Sequence, residues 1–270
     1  MNQTATLVWF FSLTYLVTWA LFFAAIALPH GSPETDESFT AIRSALLFTG
    51  TIAPALLALA MSGKQRLLEG RFQWQVSIRF YFFALFYMAA IKFVVALTYR
   101  IITGSWLQFA PWSLGEVVVA ITISTPIQAG EEIGWRGYAL PRLADRFGIA
   151  LGSILLGFIW ACWHLPLFFL KVPGNDEYGQ SFPVWALGVT GLSVAIAWLY
   201  AHTGGSLLLT MLMHSAVNNI PHFASSPAAT AKDVFSLNAS LISWLTAIVL
   251  SLAAACMLPG LRQTCRLTLR

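Results

Sequence analysis

Charge is scarce in this chain. Of its 270 residues, 15 are Lys or Arg and 11 are Asp or Glu, 10% in all, against about a quarter in an ordinary soluble domain. That shortage excludes a globule whose surface is kept in water by charged side chains. With 58% hydrophobic residues, 14% aromatics and a mean hydropathy of +0.72, what remains is a polytopic membrane protein. Cysteine is scarcer still. Cys162, Cys256 and Cys265 are the only three and show no CxxC spacing, which excludes a zinc knuckle and a disulfide framework. The net charge of +4 and pI near 9.1 come from basic residues standing singly between apolar runs. That pattern gives no nucleic-acid footprint and reads as loops held at one membrane face. Internal repeats, low-complexity tracts and long linkers are also lacking, so residues 1–270 read as a single membrane domain. The opening MNQTATL has no basic residue, and the apolar run after it is too long for a signal-peptide core; it reads as a retained first span.

What is there is apolar length. Stretches of about 20 residues, enough for roughly 30 Å of hydrocarbon, lie near 6–28, 41–62, 78–102, 113 into the EEIGWRG segment, 148–170, 183–201, 205–224 and 237–258. The expected fold class is all-α, with about eight transmembrane helices. Lys64, Arg66 and Arg71, then Arg142 and Arg146, then Arg262, Arg266 and Arg270 fall on one side of eight spans. Glu34, Asp36, Glu37, Asp176 and Glu177 fall on the other. The orientation expected from this is N-in/C-in, in a bacterial inner or plasma membrane.

Ionisable groups inside spans cost about 2.5–3.5 kcal/mol each and are functional candidates by default. Here they are Lys92, Glu116, Glu131, Glu132, Arg136, His164 and His214, joined by the polar Asn218. Glu116 and His222 lie near predicted span ends, which favours structural roles, and His30 and His202 read as interfacial. Lys92 is left without a role. Residues four apart share a helical face, so Glu132 and Arg136 form an internal ion pair, acid first. Glu131 points about 100° away and lacks that partner. His214 and Asn218 also share a face, and Trp160 stands one turn before His164, where it walls the site. Glu131 and His164 are nearly equidistant from Gly148, so an antiparallel hairpin brings them level. His164 nevertheless sits close to the outer Lys171. Either the hairpin protrudes toward the cytosol or Pro166 ends the regular helix early.

A glutamate without a cation, two histidines and an asparagine suit attack of an activated water on a carbonyl. The carboxylate can act as general base, one histidine can hold or share the water, and the second histidine and the amide can donate to the oxyanion. Ser215 adjoins His214 and so points elsewhere, Cys162 is poorly spaced from His164, and HExxH is absent. Glu131, His164 and His214 are also ligands that zinc accepts. Both a metal-free site and one zinc ion are therefore open.

Three motifs now stand in order: Glu131-Glu132-Ile-Gly-Trp-Arg136 (EExxxR), Trp160-Ala-Cys-Trp-His164 (W/FxxxH) and His214-Ser-Ala-Val-Asn218 (HxxxN). Together they resemble the CPBP family of intramembrane proteases, which comprises CAAX prenyl proteases and bacteriocin-processing (Abi) proteins. The likeness covers about 113–220. It implies an eight-helix fold with a water-filled cavity open to the cytoplasmic half, and endoproteolysis of a membrane-tethered protein or peptide, with prenylated CAAX chains the best-known case. By this likeness Glu131 activates water, His164 assists, and His214 and Asn218 form the oxyanion site; Glu132, Arg136 and Trp160 support it. Family members have been described both as metalloproteases and as metal-independent glutamate proteases. Trp160 stands where the family usually has phenylalanine. The rival reading is a membrane scaffold or bacteriocin immunity factor that keeps the site's shape but works by binding. A transporter would require pseudo-symmetric broken helices, and the sequence has no such symmetry.

Overall fold

A computed structural model describes residues 3–28, 33–62, 67–68, 71–109, 111–170, 180–220 and 233–264; for residues 3, 33–38 and 262–264 the side chains are not described. Every element in these residues is helical. In chain order they are α1 (Gln3–Ala27), α2 (Pro33–Ser62), α3 (Ile78–Thr103), α4 (Leu114–Ile127), α5 (Ala129–Glu132), a π-helical segment (Ile133–Ala139), α6 (Leu140–Trp163), a 3₁₀ turn (Leu165–Phe169), α7 (Phe182–His202), α8 (Leu207–Asn219) and α9 (Leu241–Thr264).

Six stretches of the described residues are long and apolar enough to cross a membrane: Thr4–Ala27, Phe39–Ser62, Ile78–Thr103, Leu114–Phe169, Phe182–His202 and Leu241–Leu261. The protein is an integral, multi-pass membrane protein. The fourth stretch has 56 residues, more than twice what a bilayer needs, and it bends back at Gly148. There φ is 75° and ψ 153°, a region that only glycine enters without strain. The fourth and fifth expected spans are thus the two arms of one bent stretch. The expected seventh span, near 205–224, is represented by α8. Its 13 residues reach about 20 Å, short of the roughly 30 Å hydrocarbon core. Seven crossings rather than eight therefore meet the length requirement among the described residues.

Helix α7 is buried around most of its circumference, as expected of a segment apolar on all sides. It packs against α6 and α9, while α1 pairs with α2, and α8 sits among α3, α4 and α7. At one end of the bundle Arg142 donates to Ser62 Oγ at 3.1 Å, Arg146 to Thr4 Oγ1 and Arg71 to Tyr200 Oη. These three arginines share one end. Lys64, Arg66, Asp176, Glu177, Arg266 and Arg270 lie outside the described residues, as do His30 and His222, and so do the side chains of Glu34, Asp36, Glu37 and Arg262. Glu116 is structural: its Oε2 accepts from Ser113 N at 2.8 Å while Ser113 Oγ accepts from Glu116 N at 3.1 Å, a capping box that starts α4. Lys92 also gains a place. Its Nζ donates to the Ile220 carbonyl at 2.9 Å, at the C-terminal end of α8, where a cation suits the helix dipole.

Two prolines shape the ground under the diglutamate. Pro54, inside α2, has no N–H for the Gly50 carbonyl. Thr18 Oγ1 from α1 donates to that carbonyl instead, at 2.9 Å. The backbone at Pro54 then lies against Gly134, where an added Cβ would stand 2.6 Å from Pro54 Cβ and 2.8 Å from Pro54 O. Gly134→Ala must push α2 away from the motif segment. We expect a loss of about 1–3 kcal/mol, read as a lowered unfolding midpoint in detergent. Pro141, at the start of α6, cannot bond to the carbonyl one turn back. The wider π turn before it relieves the clash that a regular helix would meet.

Candidate active site

Glu131 and Glu132 lie on α5 and are both buried, at 6% and 0% exposure. A short helix carries them because Gln128 ends α4 there and the π segment follows at once. The two carboxylates point to different partners. Glu132 Oε1 accepts from Arg136 Nη1 at 2.8 Å and from His214 Nδ1 at 2.9 Å. Arg136 is itself fully buried, and its Nη2 reaches Ser193 Oγ at 3.4 Å. Ser193 in turn donates to the Ser153 carbonyl at 3.2 Å. Burying one such pair is costly unless further hydrogen bonds satisfy it, and Ser193 supplies one.

Glu131 has a different environment. Among the described residues it has no salt-bridge partner; its Oε2 accepts from the Trp160 indole Nε1 at 2.7 Å. The hairpin about Gly148 produces this contact, because α6 returns past the motif it left. Trp160, 2% exposed, touches the whole constellation. Arg136 Cζ lies 4.4 Å from its ring centroid, a cation–π distance. The His214 ring meets it edge-on at 5.2 Å and His164 at 5.5 Å.

The histidine hydrogens follow from their partners. His164 Nδ1 lies 2.9 Å from the Trp160 carbonyl; a carbonyl only accepts, so Nδ1 carries the hydrogen and a neutral ring keeps its lone pair on Nε2. The same logic places a hydrogen on His214 Nδ1, opposite the Glu132 carboxylate. The regular helix stops at Trp163 and the Pro166-containing 3₁₀ turn follows. The regular helix thus ends before Pro166, as one of the two alternatives for His164 expects. The ring is half-buried between Trp163 at 4.7 Å and Trp185 at 5.2 Å.

The structure thus brings together Glu131, Glu132, Arg136, Trp160, His164 and His214. Asn218, one turn past His214, is exposed. Ser215 Oγ is turned away, donating to the Ile121 carbonyl at 2.8 Å. Among the described residues no three His, Cys, Asp or Glu side chains are grouped so as to hold a metal ion; with both histidine Nδ1 atoms engaged, the Nε2 atoms are the ones left to meet a ligand or substrate. Sequence reasoning missed Ser193, for which the only signal was its being one of the few polar residues in α7. It also missed that Trp160 bonds through its nitrogen, since an indole in an apolar span reads first as packing.

Fold and site together define a multi-pass helical membrane protein with a polar site built inside its helices. Residues 110–220 match the family model described as type II CAAX prenyl endopeptidase Rce1-like. Over 95 residues the chain is 33% identical to the CAAX prenyl protease 2 of Methanococcus maripaludis, covering 33% of this chain and 34% of that protein. The chain thus spans about a third of the length of the curated relative it matches. The matched region holds all three motifs, and over residues 110–220 the chain is similar to the type II CAAX prenyl endopeptidases.

Proposed function

We propose that the protein is an intramembrane endopeptidase that cleaves a membrane-tethered protein or peptide of the CAAX type, using a glutamate-activated water and no metal. The observation that carries this reading is the division of labour between adjacent carboxylates: Glu132 is committed to Arg136 and His214, while Glu131 bonds one indole. Glu131 takes a proton from a water molecule as the water oxygen attacks the scissile carbonyl carbon. His164 Nε2, bearing a lone pair, accepts from the same water and aims it. The carbonyl π electrons move onto oxygen, and the oxyanion is met by His214 Nε2–H and the Asn218 amide. A His214 that donates to both Glu132 and the oxyanion is an imidazolium, with hydrogens on both nitrogens. Collapse of the intermediate breaks the C–N bond, and the proton held by Glu131 passes to the leaving amine.

Purified protein is expected to cleave a prenylated CAAX peptide, and to retain that cleavage after chelation and removal of metal. Absence of cleavage against prenylated and unprenylated peptides alike favours the scaffold or immunity reading. Stoichiometric zinc, with activity lost on chelation and restored by zinc, would replace the metal-free mechanism by one with Glu131, His164 and His214 as ligands.

A further inference from the structure

We propose that Trp160 is a positioning residue for Glu131, acting through its indole N–H rather than through the bulk of its ring. The kinetic arm of this proposal rests on the endopeptidase reading; the structural arm does not.

A buried indole N–H ordinarily finds an acceptor, yet this chain does not enforce the rule everywhere. Among the described residues the buried Trp135 and Trp163 indole nitrogens have no hydrogen-bond partner. Trp160 does, and the bond is 2.7 Å long, at the short end of the charge-assisted range. The donor is also packed on several sides. Arg136 sits 4.4 Å from the ring centroid, the His214 ring abuts at 5.2 Å, and the residue's own carbonyl is tied to His164 at 2.9 Å. The guanidinium that holds Glu132 therefore also fixes the plane from which the indole reaches Glu131. One cation orders both carboxylates, the first by an ion pair and the second through an aromatic ring.

The consequence is a choice of oxygen. With Oε2 occupied by the indole, Glu131 presents Oε1 to water and its carboxylate plane is fixed. Phenylalanine, the residue usual at this position in the family that the motifs resemble, would preserve the stacking on Arg136 and the edge contacts with both histidines. It could not hold the carboxylate. Trp160→Phe therefore deletes the donor while keeping an aromatic ring at the position, at the cost of some ring volume.

Indole ¹⁵N–¹H spectra of the labelled protein provide the structural test. Trp160→Phe removes one indole resonance and so assigns it. Glu131→Ala should shift that resonance while leaving the indole signals of Trp135 and Trp163 in place; an unmoved Trp160 resonance overturns the contact. In the cleavage assay, Trp160→Phe should lower kcat about 10–100-fold, the usual cost of losing a group that orients a reacting one, with KM within about twofold. An unchanged kcat overturns the positioning role, as does a loss that appears only in KM. If the native protein cleaves no CAAX peptide, the endopeptidase reading fails, and the resonance of Trp160 still decides whether its N–H holds Glu131.

Discussion

Glu131→Gln is expected to abolish cleavage by about 10³-fold or more in kcat while leaving KM, expression and the unfolding midpoint close to native. The loss follows from the role assigned to a single atom. General-base catalysis contributes typically 10²–10⁴-fold, and the amide has no lone pair basic enough to take a proton from water. The structural neutrality follows from the surroundings. Among the described residues Glu131 has no salt-bridge partner, and its one hydrogen bond comes from Trp160 Nε1, a donor from which a side-chain amide oxygen still accepts. Comparative membrane proteomics of cells carrying the native or the variant protein should show an uncleaved precursor only with the latter. A Glu131→Gln protein with full activity would remove the endopeptidase reading and leave the binding one.

Arg136→Met is expected to act in the opposite manner, on stability first. It leaves the Glu132 carboxylate in a fully buried position with the Arg136 charge gone, and breaking such a pair costs about 3–5 kcal/mol. Loss of the guanidinium also withdraws the contact with Ser193 and the support under the Trp160 ring. Removing both charges, as Glu132→Gln with Arg136→Met, should recover part of the lost stability, because the uncompensated charge disappears. It should not recover activity, since His214 no longer faces a carboxylate. Unfolding in detergent, followed alongside the cleavage assay for both single variants and the double, separates the two effects. A double variant no more stable than Arg136→Met alone would show that the pair does not carry the burial energy assigned to it.

How much of this was legible in the sequence depends on the range of each contact. The Glu132–Arg136 pair was readable because i,i+4 spacing is a local rule. The hairpin was readable because Gly148 is a punctuation mark between two apolar arms. The bond from His214 to Glu132 was not, since it joins residues 82 apart in the chain and no periodicity specifies which of two adjacent glutamates a distant helix will meet. The π segment was hidden for another reason: EEIGWRG has ordinary helical spacing, and the wide turn answers to Pro141, which lies beyond the motif. The expected seventh span is represented among the described residues by the 13 residues of α8. Residues 205–224 are apolar enough to count, yet α8 ends at Asn219.

The hairpin also orders events in time. Trp160 reaches Glu131 across 29 residues of chain, and His214 reaches Glu132 across 82. In loop-closure terms the second contact costs about 0.9 kcal/mol more than the first, and during synthesis its histidine emerges later. The carboxylate and its indole can meet as the bent stretch enters the membrane, before α8 has been made. A growing chain can thus hold Glu131 and Trp160 together while Glu132 still awaits His214, so the buried cluster is assembled in two stages.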